Sequence, residues 1–235
     1  SVSELLEKDS QYWEKYGGAK AQNLTGNCNF ICQEIEQSKS ERVFLIADNR
    51  TLFLKGFLAI LKANKIIVLP HTQAPDLLKE LLQKEDFLLS DNKSLKALTP
   101  NFIDLNTIET QDNSLQTPLS RNRKIIFYTS GSTGHPKEIH KELWQLEKEV
   151  ITLQKTWPLN FLQDEIVFST VPPHHIYGFL FSFLWPLCLR IPVNAQTVHH
   201  WEEVPEETSS QTVLISSPAH LGRFPEGFTL PVKRV

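Results

Sequence analysis

The chain has 235 residues, 40% of them hydrophobic and 22% charged, and a formal net charge of -3. That length supports one large core or two modest ones, and the composition is that of an ordinary soluble globular fold. A weakly acidic chain with no block of Lys or Arg excludes a basic nucleic-acid footprint or membrane patch, and no run is apolar for long enough to span a bilayer. Ser1-Val2-Ser3-Glu4 lacks the charged and apolar regions of a signal peptide. Cys28 and Cys32 lie four apart on an expected helix, but neither His nor further Cys completes a metal set around them. Buried, reduced thiols and a cytoplasmic setting are therefore expected, Cys188 included. With no methionine at all, the sequence reads as a processed or trimmed piece of a longer chain.

Ser3 to Tyr16 and Gly26 to Gln37 carry helical patterning, with Thr25 as the expected cap of the second. Arg42 to Ala47 reads as a strand. Asn49 to Ala63 repeats apolar residues at helical spacing (Leu52, Phe53, Phe57, Leu58, Ile60, Leu61), and Lys65 to Leu69 is a second strand ended by Pro70. Asp76 to Lys84 predicts a short helix and Phe87 to Leu89 a short strand. This β-α-β-α-β rhythm predicts a mostly parallel sheet covered by helices. From Asn106 to Asn122 the sequence turns polar and loses its periodicity. Two α/β lobes are thus expected, over residues 1–110 and 123–235, joined by a connection at 111–122. The second lobe opens with a buried strand, Lys124 to Phe127, and continues with a loop and a helix from Lys141 to Gln154. Ile166 to Thr170 is a further strand. The apolar stretch from Ile176 to Val193, interrupted by Pro186 and Arg190, reads as a core helix, and Gln211 to Ser216 as another strand.

The loop after Phe127 runs Tyr128-Thr129-Ser130-Gly131-Ser132-Thr133-Gly134-His135-Pro136-Lys137. Two glycines let backbone N–H groups approach an anion, the hydroxyls add donors, and Lys137 supplies a mobile positive charge. That combination suits a polyphosphate. Ser/Thr/Gly loops often serve only as surface connectors, but no ordinary turn requires Pro-Lys at this spacing after the second glycine. Nor is this a Walker A loop, in which Lys directly follows the last glycine, because His135 and Pro136 intervene.

Y-T-S-G-S-T-G-x-P-K resembles the signature loop of the adenylate-forming superfamily, which includes acyl-CoA and aryl-CoA synthetases, peptide-synthetase adenylation domains and luciferases. Downstream, His174-His175-Ile176-Tyr177-Gly178 resembles that family's acyl-binding motif, at a similar separation. Gly56 to Ala63 resembles its early G-x-L-A-x-x-x-A helix. The resemblance implies stacked, mostly parallel sheets with covering helices, the fold of the family's N-terminal large domain. It also implies that ATP activates a carboxylic acid as an acyl-adenylate, which a thiol of coenzyme A or of an acyl carrier protein then takes up, with Mg²⁺ assisting. Such chemistry rests on positioning and charge stabilisation more than on proton transfer.

By the same resemblance Thr129, Ser130, Gly131, Ser132, Thr133, Gly134 and Lys137 bind the nucleotide, and His175, Tyr177 and Gly178 meet the acyl substrate. His174 reads as an ordinary exposed or core histidine, no residue is singled out as catalytic, and no metal ligand is assigned. The family's Y-G-x-T-E motif, its ribose-binding Asp, and its hinge and C-terminal lid are not found in the sequence. The chain is therefore expected to be the N-terminal part of an acid–thiol ligase, inactive alone. The alternatives are a truncated or degenerate nucleotide-binding homologue and, less favoured, another phosphate-handling enzyme such as a kinase. P-K-x-I-x-K-x-x-x-Q-L-x-x-E and H-I-Y-G-F-L-F-x-x-L-W-P-L further resemble the branch that serves carrier proteins, including those of aryl-polyene pathways.

Overall fold

The computed structural model describes residues 21–107, 122–130, 136–157, 166–204 and 212–224. The helix expected at Ser3 to Tyr16 and the loop residues Gly131, Ser132, Thr133 and Gly134 lie outside the described residues. Helix α1 (Ala21–Glu36) buries Cys28, Ile31, Cys32 and Ile35, one stripe at helical spacing. Its backbone is already helical through Thr25 and Gly26, so Thr25 is not the cap that the sequence suggests. Ala21, Gln22 and Leu24 are good helix formers and give the chain no reason to start later. The three cysteines are free. Burial pushes the Cys28 thiol up to about 11 and the Cys32 thiol, helped by Glu36, up to about 12.

Strand β1 (Arg42–Ile46) leads to α2 (Arg50–Lys62), whose start is fixed by Asn49. Its side chain accepts from the N–H groups of Thr51 and Leu52 at 2.9 and 3.0 Å, which satisfies two of the donors a helix start leaves open. A Cβ added at Gly56 would stand 2.5 Å from Leu45 Cδ1, so the absence of a side chain there lets α2 lie close against β1. Next come β2 (Ile66–Leu69), α3 (Pro75–Leu81), β3 (Phe87–Ser90) and the three-residue β4 (Phe102–Asp104).

β5 (Lys124–Thr129) and β6 (Lys137–Glu142) follow as an antiparallel pair. The sequence predicts helix from Lys141, but Lys141 and Glu142 belong to β6, and α4 (Leu143–Thr156) starts after them. Glu142 closes a capping box there with Gln145. β6 is a sheet edge whose only apolar residue is Ile139, and charged edges of this kind discourage pairing with other chains.

The six strands stand in the order β4-β3-β1-β2-β5-β6, all parallel except β6. The sheet therefore continues across the connection read at 111–122, and β5 and β6 join the strands of the first lobe. Residues alternate between its faces. Val43, Leu45, Ile67, Leu69, Ile125 and Phe127 join the larger core under the helices. Phe44, Ile46, Val68, Ile126 and Tyr128 face a smaller core closed by Leu78 and Leu95.

A second, two-stranded parallel sheet comprises β7 (Ile166–Ser169) and β8 (Thr212–Ile215). Between the sheets runs α5 (176–189), whose middle, Phe179–Leu184, is π-helical. There the N–H of Trp185 bonds to Leu180 O, five residues back. That wider turn comes immediately before Pro186, the residue that cannot donate. Phe179 packs against Phe127 and Phe57 at 5.3 and 5.6 Å between ring centroids, and Phe183 against Phe53 at 4.8 Å. The helix ends at Arg190 in the left-handed conformation, φ 61°.

Candidate functional site

The parallel strands deliver their carboxyl ends to one edge, where α/β folds place their ligand loops. β5 and β6 pair up to Thr129 opposite Lys137, so the loop between them leaves and re-enters the sheet at one point. Thr129 is half-buried, continues the face of Ile125 and Phe127, and lies 3.5 Å from Lys137 O through its Oγ1. Ser130 and Lys137 are exposed. On the opposite face the Tyr128 hydroxyl donates to Glu138 Oε1 at 2.6 Å. Burial, with that bond, pushes the Tyr128 phenol up to about 12. The same hydroxyl, with His140 assisting, holds the Glu138 carboxyl below its usual range. The hairpin is thus locked by a charge-assisted bond one residue from the loop.

The second motif follows β7. Ser169 Oγ accepts from the N–H of Val171 at 3.0 Å and donates to Val171 O at 2.9 Å. Thr170 ties this turn to β8 through its N–H to Ile215 O at 3.0 Å and its hydroxyl to that of Ser216 at 2.9 Å. The chain then turns through Pro172 and Pro173 into α5, capped by His175, whose Nδ1 accepts from the N–H of Tyr177 at 3.3 Å. His175 is half-buried, and burial, followed by the nearness of His71, lowers its pKa. Tyr177 is 37% exposed and its ring sits 4.5 Å from that of Phe181. A Cβ added at Gly178 would lie 2.1 Å from Pro172 O, so α5 packs directly on the turn that carries His175.

His174 is 2% exposed, with Nδ1 3.4 Å from Ala47 O at the end of β1, so of the exposed and core readings that the sequence leaves open it is the core one. Burial lowers its pKa from 6.5 to about 4, against the opposing pull of Asp48. The folded state thus refuses a proton that the unfolded chain accepts below pH 6.5. Stability from this group is intact above that value and falls as pH drops toward 4, by about 3 kcal/mol in all. His174→Asn is expected to flatten that acid limb, read as urea midpoints at about pH 7.5 and about pH 4.5. Equal slopes in both proteins would show that the limb has another origin.

Arg50 has no signature in the sequence, because an arginine in the first turn of an amphipathic helix reads as solvent-facing. It is nonetheless fully buried. Its Nη1 donates to Gln196 O at 2.9 Å, and its Nη2 to Val171 O at 2.9 Å and Ser182 Oγ at 3.4 Å. It therefore joins α2 to the turn before His174, to α5, and to the segment after α5. A cavity of about 360 Å³ beside that segment is lined by Asn194, Gln196, Thr197, Val198, His199 and Glu203. None of the predicted site residues contributes to it. Among the described residues, no group of three or more His, Cys, Asp or Glu converges as a metal site.

A mostly parallel, helix-covered sheet, with the Thr129–Lys137 loop and the histidine turn at its carboxyl edge, defines an α/β protein whose candidate site lies along that edge. The model of the AMP-binding enzyme family matches residues 33–214, and the chain belongs to that family. It is 32% identical over 101 residues to a mitochondrial malonate–CoA ligase of Mus musculus, covering 40% of this chain and 17% of that protein. It is 31% identical over 114 residues to a 4-chlorobenzoate–CoA ligase of Arthrobacter, covering 46% and 21%. The matched segment is thus about a fifth of the length of these curated relatives. Among solved structures, the o-succinylbenzoate–CoA synthetase of Bacillus subtilis in complex with its acyl-adenylate intermediate superposes with a TM-score of 0.73. It is 15% identical and covers 97% of this chain and 66% of that one. At that identity the likeness is one of fold.

Proposed function

We propose that the chain carries the triphosphate-binding part of an acid–thiol ligase. In the first half-reaction an oxygen of a carboxylate attacks the α-phosphorus of ATP; the α–β bridging P–O bond breaks, giving an acyl-adenylate and pyrophosphate. In the second a thiolate attacks the acyl carbon and AMP leaves. The observation that carries this reading is the β5–β6 hairpin, which closes the hydroxyl–glycine loop between Thr129 and Lys137 at the sheet's carboxyl edge, in a chain of the AMP-binding family.

On this reading Thr129, Ser130, Ser132 and Thr133 donate to the β- and γ-phosphates, Gly131 and Gly134 admit the backbone, and Lys137 pairs with a phosphate. His175 stands at the mouth of α5, where the carboxylate would meet the nucleotide. Tyr177 borders the acyl group, and Gly178 sets how closely α5 approaches it. Magnesium would arrive with the triphosphate and neutralise its charge; no described residue is assigned to it. Coenzyme A is the favoured acceptor because the similar proteins are named CoA ligases, with a carrier protein as the second candidate. No helix among the described residues is long and apolar enough to cross a membrane, and the buried thiols favour a cytoplasmic setting.

The test is exchange of labelled pyrophosphate into ATP by the complete gene product, with malonate and 4-chlorobenzoate as the first acids. Acid-dependent exchange is expected. ATP binding without exchange across a broad set of acids would instead make this a nucleotide-binding homologue. Lys137→Ala is expected to weaken ATP binding by about 1–3 kcal/mol, roughly 5- to 150-fold, in calorimetric titration. Unchanged affinity would remove Lys137 from the site.

A further inference from the structure

We propose that His71 is a second imidazole of this site and donates from Nδ1 to an oxyanion held between Thr129 and His175. The inference rests on the ligase reading above and extends it to a residue that no motif marks.

Three observations converge on it. The first is register. β2 pairs with β5 in parallel, with Leu69 opposite Phe127. His71 lies two residues past Leu69, and Thr129 two past Phe127, so both stand at the carboxyl edge of this strand pair. Thr129 is the last residue of β5 and shares the face of Ile125 and Phe127, while β2 ends at Leu69 and His71 follows it in a bend just past Pro70. The second is the neighbouring strand. β1 pairs with β2 with Phe44 opposite Val68, so Ala47, just past the end of β1, stands at the same carboxyl edge as His71. Ala47 O is the atom that His174 Nδ1 approaches, so the histidine turn sits over the strand beside His71. The nearness of His71 is accordingly the second influence on His175, after burial.

The third is an unmet hydrogen bond. His71 Nδ1 is buried with no hydrogen-bond partner among the described residues. A buried ring nitrogen without a partner is costly to the fold, and an anionic oxygen would satisfy it more strongly than a neutral group. The reaction supplies two such oxygens at this place, on the phosphate of ATP and on the carboxylate of the acid. Both are oxyanions, so the chemistry of recognition is shared.

The experiment pairs substitution with direct observation of the ring. ATP affinity is measured by calorimetry for the wild type, Lys137→Ala, His71→Ala, His71→Asn and His71→Gln, with a melting temperature for each. The imidazole ¹⁵N resonances of His71 are followed as ATP alone, then 4-chlorobenzoate alone, is added. Asn places an amide near the position of Nδ1, whereas Gln places one near Nε2. The expected result is that His71→Ala weakens binding about tenfold, a loss of about 1.4 kcal/mol, while Asn restores most of it and Gln does not. A merely structural role would follow melting temperature and not this order.

A response of the Nδ1 resonance to ATP assigns the oxyanion to phosphate; a response to 4-chlorobenzoate alone assigns it to the carboxylate. If Lys137→Ala weakens ATP binding while His71→Ala binds ATP like the wild type and its ring ignores both probes, only the role of His71 falls. If the wild type itself binds no ATP, the ligase reading fails and His71 loses its role with it.

Discussion

Arg50→Ala is expected to lower the free energy of unfolding by about 3–5 kcal/mol, read from urea midpoints at constant slope. The guanidinium donates to the carbonyls of Gln196 and Val171 and to the Ser182 hydroxyl, and all of it is buried. Removing it strips the buried Ser182 hydroxyl of this donor and leaves Val171 O with Ser169 Oγ alone, while the carbonyl of exposed Gln196 can turn to water, so most of the loss is the cost of a large void. Arg50→Lys separates packing from geometry. An ammonium offers one point charge where Arg50 spans two carbonyls with different nitrogens, so lysine is expected to recover less than half of the loss. A change below about 1 kcal/mol for alanine would mean that the three contacts do not operate in solution.

The second large effect is expected at Gly178, where two simple arguments disagree in sign. The residue has φ -62° and ψ -40°, ordinary helical values that alanine also adopts. Helix propensity alone therefore predicts that Gly178→Ala stabilises by up to about 1 kcal/mol. The added methyl, however, would stand 2.1 Å from Pro172 O, 2.9 Å from Pro172 C and 3.1 Å from Val171 Cγ1. The two closest are backbone atoms that no rotamer change can move. The clash should win, destabilising by about 3 kcal/mol and separating α5 from the turn that holds His175. The checks are a melting curve for the sign and acid-dependent pyrophosphate exchange for the site. A more stable, fully active Gly178→Ala would show that the turn and the helix are not packed as described.

How far the sequence could be read follows from what each residue displays locally. β1, α2 and β2 were legible because Val43 to Ile46, Phe53 to Leu61 and Ile66 to Leu69 carry the full periodicity of buried elements. β6 was not, because an edge strand with only Ile139 apolar has the same charge-rich composition as an exposed helix. β4 is three residues long and sits just before a polar stretch, too short to show a period. The two motifs stood out by residue type, and the structure adds what type alone cannot give: the pairing of Thr129 with Lys137 and the cap made by His175. Arg50 and His71 were silent for a shared reason. Their significance lies in what strand register and helix packing bring to them, across sequence separations as large as that between Arg50 and Gln196.

The hairpin that closes the hydroxyl–glycine loop has a consequence for the length of that loop. Two adjacent antiparallel strands need as few as about two residues to join them, yet residues 130–136 separate the paired Thr129 and Lys137. Chain connectivity therefore does not set this length. Nor does the entropy of closure weigh heavily, since doubling a loop costs only about 0.6 kcal/mol. On the proposed reading the surplus length is there for a triphosphate, and a version shortened between Thr129 and Lys137 is expected to keep its paired anchors while losing ATP affinity.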